Sequence, residues 1–211
     1  MRGEHPWLAI PAADYEGHMA EVGQLGPLRE IFALVYGELR PRRLAVLGCG
    51  PGNGLEAVDP AITGRLVAVD LNPEYLALAR QRHARLAAIA DWRCGPIEGC
   101  DLGSGELDLV HAALLLEHLE PAPLLARIAR WLAPGGVFSV VLQLPGADAP
   151  VSPTGFSSLG ALEPLMRLLP PERLEVDAGH AGLALRSSRR LPLPRGKGFW
   201  VGTFGRLQGD G

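Results

Sequence analysis

Residues 44–54 read LAVLGCGPGNG, a short apolar run that leads directly into a turn with four glycines. The apolar run at residues 44–47 is typical of a buried strand, and a short helical segment is expected between the turn and Pro60. Glycines let the backbone bend sharply and approach a ligand without an intervening side chain. Amide groups at the start of the helical segment favour a negative or electron-rich group. The stretch therefore predicts a ligand-binding turn at the end of a strand.

An acidic residue stands at the end of the next predicted strand. Residues 65–69 form a second apolar run, and Asp70 follows it, 22 residues after Gly48. In a parallel sheet both strand ends lie at one edge, so the carboxylate is expected beside the glycine turn, where it can accept hydrogen bonds from ribose hydroxyls. The alternative interpretation is an ordinary tight turn and an acid at a helix start.

The glycine spacing differs from that of NAD-binding turns. The dinucleotide pattern is G-x-G-x-x-G, whereas the first three glycines here are spaced G-x-G-x-G. Counted from Gly48, Gly54 comes one residue too late for the dinucleotide pattern. The spacing therefore disfavours a nicotinamide-dependent oxidoreductase, which is kept as a third hypothesis.

Strands and helices alternate along the following residues. A helix over residues 25–39 is predicted because apolar residues recur at steps of three and four, and Pro41 ends it. Another helix is expected after Asn72, a suitable N-cap, with Pro73 at the first helical position. Further strands are expected within residues 87–94, 107–112 and 137–143.

The last third of the chain predicts a change of strand direction. A helix bearing Leu124, Ile128 and Leu132 on one face is expected to end at Pro134-Gly135-Gly136, with glycine as a left-handed cap. Two further strands are expected at residues 182–193 and 199–207. The turn between them is too short for a parallel crossover, so they are expected to be antiparallel. The whole pattern predicts an open, mostly parallel sheet with helices on both faces.

Four stretches resemble motifs of the class I S-adenosylmethionine-dependent methyltransferases. Residues 44–54 resemble the first motif, and LVAVDLNPEYL at residues 66–76 resembles the segment with the ribose-binding acid. ELDLVHAALLLEHLEP at residues 106–121 resembles the fourth-strand motif, and ARIARWLAPGGVFSVVLQ at residues 126–143 resembles the helix and fifth strand that follow. The resemblance implies an α/β fold, a Rossmann-like three-layer sandwich with a seven-stranded, mostly parallel sheet and an antiparallel last strand.

The resemblance also implies S-adenosylmethionine as the cofactor and a set of residues that hold it. Gly48, Gly50 and Gly52 would line its methionine part, and Cys49 and Pro51 between them would contribute backbone. Asp70 would hold the ribose, and Leu71, Pro96 and Ile97 would lie near the adenine. Ala112 and Ala113 would face the sulfonium.

Two positions depart from the family pattern. The family usually has an acid two residues before the first glycine, where this chain has Val46. It often has an Asp after the third strand to meet the adenine amino group, where this chain has Pro96 and Ile97. Backbone groups are expected to substitute there, and Asp91 and Asp101 are the nearby acids in another register. These departures are expected to lower cofactor affinity rather than to abolish binding.

Candidate catalytic and substrate-binding residues flank the predicted sheet edge. His118 is a candidate base near neutral pH, with a packing or capping role as the alternative, whereas His111 is interpreted as a core histidine. Residues 1–40 form an arm and helix that either fold over the ligand as a lid or pack ordinarily, and residues 41–211 form the methyltransferase domain. Candidate substrate or lid residues are Trp7, Tyr15, His18, Met19, Gln24 and Gln143.

Composition narrows the class of protein. A formal net charge of −3 without a dense basic run argues against a nucleic-acid partner, and the basic residues 186–190 and 195–197 are interpreted as a solvated face. Three cysteines without C-x-x-C spacing argue against disulfides, and no histidine spacing suggests a metal site. No signal peptide is expected, and no apolar run is long enough to span a membrane. A cytoplasmic protein is expected, and its oligomeric state is left open.

Two functional hypotheses are favoured over the oxidoreductase. The first is an enzyme that moves a methyl group to a small O, N or C nucleophile, since no separate recognition domain for DNA or protein is apparent. The second is a cofactor-binding or regulatory protein without activity, which Val46 and the lack of an obvious base keep open.

Overall fold

The computed structural model describes residues 5–146 and 149–207, except for the side chain of Arg195. The described chain forms seven strands and five α-helices. The strands are β1 Arg43–Leu47, β2 Arg65–Asp70, β3 Ala90–Cys94, β4 Leu107–Ala113, β5 Leu132–Leu144, β6 Leu183–Pro192 and β7 Gly198–Arg206. The helices are α1 Ala12–Glu21, α2 Leu25–Leu39, α3 Pro73–Arg82, α4 Pro121–Trp131 and α5 Pro171–His180.

The strands form one sheet in the order β3-β2-β1-β4-β5-β7-β6. Strands β1 to β5 are parallel to one another, and β7 is antiparallel to both β5 and β6. This arrangement confirms the predicted fold class, including the reversed strand pair at residues 183–206. The glycine turn and Asp70 lie at the carboxyl ends of the adjacent strands β1 and β2, as predicted.

Alternating residues of the central strands face two separate apolar cores. Leu47 and Val69 pack in the core that α4 and α5 cover, whereas Val46 and Ala68 pack in the core that α2 and α3 cover. Each strand is thus buried on both faces, which is why its sequence is almost continuously apolar. The resulting three layers are helices, sheet and helices.

Local signals set the ends of two helices where the sequence placed them. The Asn72 side chain caps α3 by accepting hydrogen bonds from the amides of Glu74 and Tyr75. Helix α2 ends at Arg40, which has a left-handed φ of 44° and precedes Pro41. The cap of α3 fixes where the chain leaves the carboxyl end of β2, whereas the end of α2 precedes the amino end of β1.

One predicted helix end differs from the structure, whereas the short helical segment expected before Pro60 is present as the 3₁₀ turn Leu55–Ala57. Helix α4 ends at Trp131, and the residues Pro134-Gly135-Gly136 lie in β5 instead of closing the helix. They form an irregularity in the pairing with β4, where a Cβ at Gly136 would lie 2.6 Å from the Leu107 carbonyl oxygen.

The interpretation of the basic residues as a solvated face needs one correction. Arg186, Arg189 and Arg190 are exposed on β6, as expected. Lys197 is instead buried, and its Nζ donates hydrogen bonds to the carbonyl oxygens of Ala149 and Pro150. A buried ammonium group needs such acceptors because burial removes its water.

No helix among the described residues is both long and apolar enough to cross a lipid bilayer. All three cysteines lie in the described part of the chain and are free.

Candidate functional site

Asp70 holds the glycine turn by hydrogen bonds to its backbone. Its Oδ2 accepts the amide hydrogen of Gly50 at 2.7 Å, and its Oδ1 accepts that of Asn72 at 2.9 Å. Burial raises the pKa of Asp70, and the hydrogen bonds from Asn72 and Gly50 partly oppose that rise. The carboxylate is therefore fixed between the ends of β1 and β2.

The turn has a backbone that favours glycine. Gly48, Gly50 and Gly52 have φ angles of 64°, 54° and 93°, in the left-handed region. A Cβ at Gly52 would lie 2.8 Å from the ring of His83, whose Nε2 lies 2.9 Å from the Gly52 carbonyl oxygen. Gly52 therefore makes room for a supporting histidine.

A cavity with about 890 Å³ of empty space, its open mouth included, lies beside the turn and is called the large cavity. The glycine turn and strand ends form one side, α1 and the preceding turn form another, and the chain after β5 closes the third. Its lining residues are Trp7, Tyr15, His18, Met19, Gln24, Gly48, Gly50, Asp70, Leu71, Tyr75, Ala113, Leu114, Leu115, His118, Gln143, Pro150, Val151, Leu159, Leu162 and Met166.

A small cavity of about 610 Å³ adjoins the large one on the side of β3. It is lined by His5, Val69, Gly95, Pro96, Ile97, Glu98 and Leu119, together with six residues that also line the large cavity. The shared residues are Trp7, Gly48, Asp70, Leu71, Leu115 and His118. The two cavities therefore form one bipartite cleft with Asp70 and His118 at the junction.

His118 lies at this junction in a largely apolar setting. Its ring contacts Trp7 edge-on with centroids 5.3 Å apart, and its Nδ1 has no hydrogen-bond partner in the described structure. Burial lowers the pKa of His118 to about 4, and the nearby His5 adds to this effect. The imidazole is therefore neutral at pH 7, which is the form that can accept a proton. Its role as a base stays a prediction.

Glu117 is buried beneath the cleft. Its side chain is 1% exposed, and Oε1 accepts the Gln143 amide hydrogen at 2.7 Å. Oε2 has no hydrogen-bond partner among the described residues. Burial raises the pKa of Glu117 to about 7. A carboxyl group that titrates near neutral pH thus stands next to His118 in sequence but lines neither cavity.

Gln143 connects three parts of the cavity wall. Its Oε1 accepts a hydrogen bond from Gln24 Nε2 at 3.0 Å, and its Nε2 donates to the Pro150 carbonyl oxygen at 2.8 Å. These bonds join β5 to the start of α2 and to the chain after β5. The residue predicted to lie on the rim is therefore buried in the wall and holds it together.

His111 has the core position predicted for it. Its Nδ1 lies 3.1 Å from Ser139 Oγ, its ring packs edge-on against Phe32, and burial lowers its pKa to about 4. This confirms the structural interpretation of His111.

The comparison with known families agrees with this geometry. Residues 45–140, which contain most of β1, all of β2 to β4, the glycine turn, Asp70 and His118, match the model of the methyltransferase domain. The chain therefore carries a methyltransferase domain, and its motifs resemble those of the class I S-adenosylmethionine-dependent family.

Two curated relatives of this chain have names that describe small-molecule methyltransferases. The ubiquinone biosynthesis O-methyltransferase of Xanthomonas axonopodis pv. citri is 31% identical over 164 residues, which cover 74% of this chain and 64% of that protein. The trans-aconitate 2-methyltransferase of Methylobacterium radiotolerans is 37% identical over 123 residues, which cover 56% and 44%. The chain thus spans less than two thirds of these curated relatives.

The fold extends beyond the matched residues. A phosphoethanolamine N-methyltransferase 2 from Haemonchus contortus, solved with phosphomonomethylethanolamine and S-adenosylhomocysteine, has a TM-score of 0.71 and 15% sequence identity. The match covers 93% of this chain and 57% of that one. At this identity the likeness shows the methyltransferase fold, including the strands after residue 140.

The structure brings only some of the family-derived residues to the cleft. Gly48, Gly50, Asp70 and Leu71 line it, as do Pro96, Ile97 and Ala113, whereas Cys49, Pro51 and Gly52 lie behind the turn surface and line neither cavity. Ala112 is fully buried in the core on the α4 side because strand residues alternate between faces. The wall beyond Ala113 is formed by Leu114 and Leu115 instead.

The structure also shows where Val46, which replaces a family acid, and the acids near the third strand lie. Val46 is buried in the core with α2 and lines neither cavity. Asp91 is exposed and pairs with Arg93 at 2.7 Å, and Asp101 lies outside both cavities. Besides Asp70, the acid that lines the small cavity is Glu98, which the sequence motifs did not indicate.

Part of the large cavity was missed at the sequence level. Leu159, Leu162 and Met166 follow β5 and form its outer wall, with Leu159 and Leu162 in a 3₁₀ turn at Ser157–Leu162. Their spacing of three and four residues is a weak signal for an apolar face. No cluster of three or more potential metal ligands occurs among residues 5–146 and 149–207.

Proposed function

We propose that this chain transfers a methyl group from S-adenosylmethionine to a small-molecule nucleophile. The supporting observation is the junction of the two cavities, where the glycine turn and the Asp70 carboxylate meet. Such a junction suits a ligand with a nucleoside part on one side and an amino-acid part on the other. Because the chain spans less than two thirds of its curated relatives, activity and acceptor are proposals.

The residues present fit the cofactor. The small cavity offers apolar contacts from Leu71, Ile97 and Leu115 for an adenine ring, and Asp70 is placed to accept hydrogen bonds from ribose hydroxyls. The bare backbone at Gly48 and Gly50 leaves room for the methionine part in the large cavity. When bound, the cofactor supplies an activated methyl group on a sulfonium.

The chain's own residues would orient the acceptor and exclude water. Within the predicted arm of residues 1–40, we infer that the part before α2 acts as a lid; residues 1–4 lie outside the described part. Glu16 of α1 forms an ion pair with Arg82 of α3, and Asn72 Nδ2 donates to the Trp7 carbonyl oxygen at 2.9 Å. These bonds hold the arm across the cleft, which favours positioning of the acceptor in a water-poor site.

His118 is the candidate for handling a proton from the acceptor. Its imidazole is neutral at pH 7 and lines both cavities, with a buried Nδ1 that has no partner in the described structure. A hydroxyl of the acceptor would provide the missing hydrogen bond. His118 is therefore proposed to orient that hydroxyl and accept its proton.

The direct test is turnover. The protein is incubated with S-adenosylmethionine and a metabolite panel, and release of S-adenosylhomocysteine is measured. Acceptor-dependent release is expected. Tight S-adenosylhomocysteine binding in calorimetry without any release would favour a silent binding protein, and NAD binding in its place would favour an oxidoreductase.

Gly50→Val is expected to lower the affinity for S-adenosylhomocysteine by at least about tenfold. A branched side chain is strained at the left-handed φ of 54°, and its methyl groups would extend toward the cavity from a Cβ 3.6 Å from the Tyr15 ring. Calorimetry measures the affinity, and circular dichroism checks the fold. Gly37→Val, in open space on α2, is the control that should bind normally. Retained binding by Gly50→Val would contradict the close approach.

A further inference from the structure

The outer end of the large cavity has an apolar wall. Met19 of α1 faces this space together with four residues of the chain after β5, Val151, Leu159, Leu162 and Met166. Leu159 and Leu162 are each only 3% exposed. None of these five residues lines the small cavity, so this wall is the part of the cleft that remains for an acceptor once the adenosyl part of the cofactor is bound there.

The wall carries little charge. Among the described residues that line the large cavity there is no lysine or arginine. The histidines His18 and His118 both have pKa values lowered by burial, so they are neutral at pH 7. Asp70 provides a carboxylate, which disfavours anions nearby.

The nearest buried cation is committed to the protein. Lys197 does not line the cavity, and its Nζ donates at 2.8 Å and 2.9 Å to carbonyl oxygens of Ala149 and Pro150. It stabilises the chain that forms the outer wall. Its charge helps to lower the pKa of His18, which lines the cavity. An acceptor carboxylate would still lose its water without a lysine or arginine among the lining residues to contact, which is costly.

We infer that the methyl acceptor is an uncharged, predominantly apolar molecule with one polar end, rather than a carboxylate or phosphate. The apolar part lies against Leu159, Leu162 and Met166, and the polar end lies toward His118 and the amide groups of Gln24 and Gln143. This inference rests on the proposed function. It separates the chain from a relative whose name gives trans-aconitate, a polyanion, as the substrate.

The test compares two probes that differ by one charge. Binding of 2-naphthol and of 6-hydroxy-2-naphthoate is measured by calorimetry at pH 7, with and without saturating S-adenosylhomocysteine. We expect 2-naphthol to bind at least about tenfold more tightly than the carboxylate. In Met166→Lys, the new cation in the wall should raise the affinity for the carboxylate at least about tenfold. Val176→Lys, at an exposed position on α5, adds the same charge elsewhere and should leave the preference unchanged.

The outcomes separate the two proposals. Equal or tighter binding of the carboxylate by the parent protein would overturn the inference, and so would the absence of binding by either probe. If Met166→Lys and Val176→Lys changed the affinity ratio of the two probes by the same factor, the assignment of the acceptor to this wall would be overturned. If S-adenosylhomocysteine does not bind, the proposed function is contradicted. The preference between the two probes is then still measured in the titrations without S-adenosylhomocysteine.

Discussion

Asp70→Asn is expected to lower the affinity for S-adenosylhomocysteine by roughly ten- to a hundredfold. The carboxylate lies in both cavities and accepts the amide hydrogens of Gly50 and Asn72. Hydrogen bonds to a charged group contribute about 1.5–3 kcal/mol, and an amide NH₂ group in this place would face one of those N–H donors. The substitution thus removes the ribose acceptor and disturbs the turn. Calorimetric titration measures the loss.

Asp91→Asn is the matched control for this prediction. Asp91 is an exposed aspartate on the neighbouring strand β3, paired with Arg93 and outside both cavities. The Asp91→Asn variant should bind S-adenosylhomocysteine with the affinity of the parent protein. Thermal unfolding of both variants shows whether they are folded at the temperature of titration. Parental affinity in folded Asp70→Asn would remove this carboxylate from the site.

Glu117→Gln is expected to stabilise the protein at alkaline pH by about 3 kcal/mol relative to the parent. The folded state raises the pKa of Glu117 from 4.5 to about 7. A raised acid pKa means that the folded protein favours the protonated form. The stabilisation is therefore fully present below pH 4.5 and is lost as the pH rises through 7. Glutamine keeps an acceptor for the Gln143 amide and carries no charge.

The measurement is the free energy of unfolding in urea from pH 4.5 to pH 8.5 for the parent and the variant. The difference between the two proteins should grow with pH and level off above about pH 7. The buried His111 and His118, whose lowered pKa values destabilise the fold as pH falls, are present in both proteins and cancel. Glu163→Gln, an exposed change, should show no such growth. Parallel curves for Glu117→Gln and the parent would contradict the assignment.

Local patterns explain why much of the fold was predictable. The apolar runs before Gly48 and Asp70 are buried on both faces, and this burial makes a strand visible in sequence. Asn72-Pro73 carries its own capping chemistry. The short connection before Phe199 leaves only antiparallel pairing for the last strands. In each case neighbouring residues contain the reason for the structure.

The features that were missed depend on contacts between distant residues. In the sequence Lys197 resembles a surface lysine, and only the fold brings the carbonyl oxygens of residues 149 and 150 within hydrogen-bond distance of it. The pKa of His118 follows from burial against Trp7, more than a hundred residues earlier. Met166 becomes part of a cavity only because the chain after β5 folds back over the strand ends. No short-range pattern carries this information.

The most direct test is a crystal structure of the protein with S-adenosylhomocysteine. We expect the adenine in the small cavity between Leu71 and Ile97, the ribose hydroxyls hydrogen-bonded to Asp70, and the homocysteine part beside Gly48 and Gly50. A ligand bound elsewhere, or a ribose that makes no contact with Asp70, would contradict the proposed site.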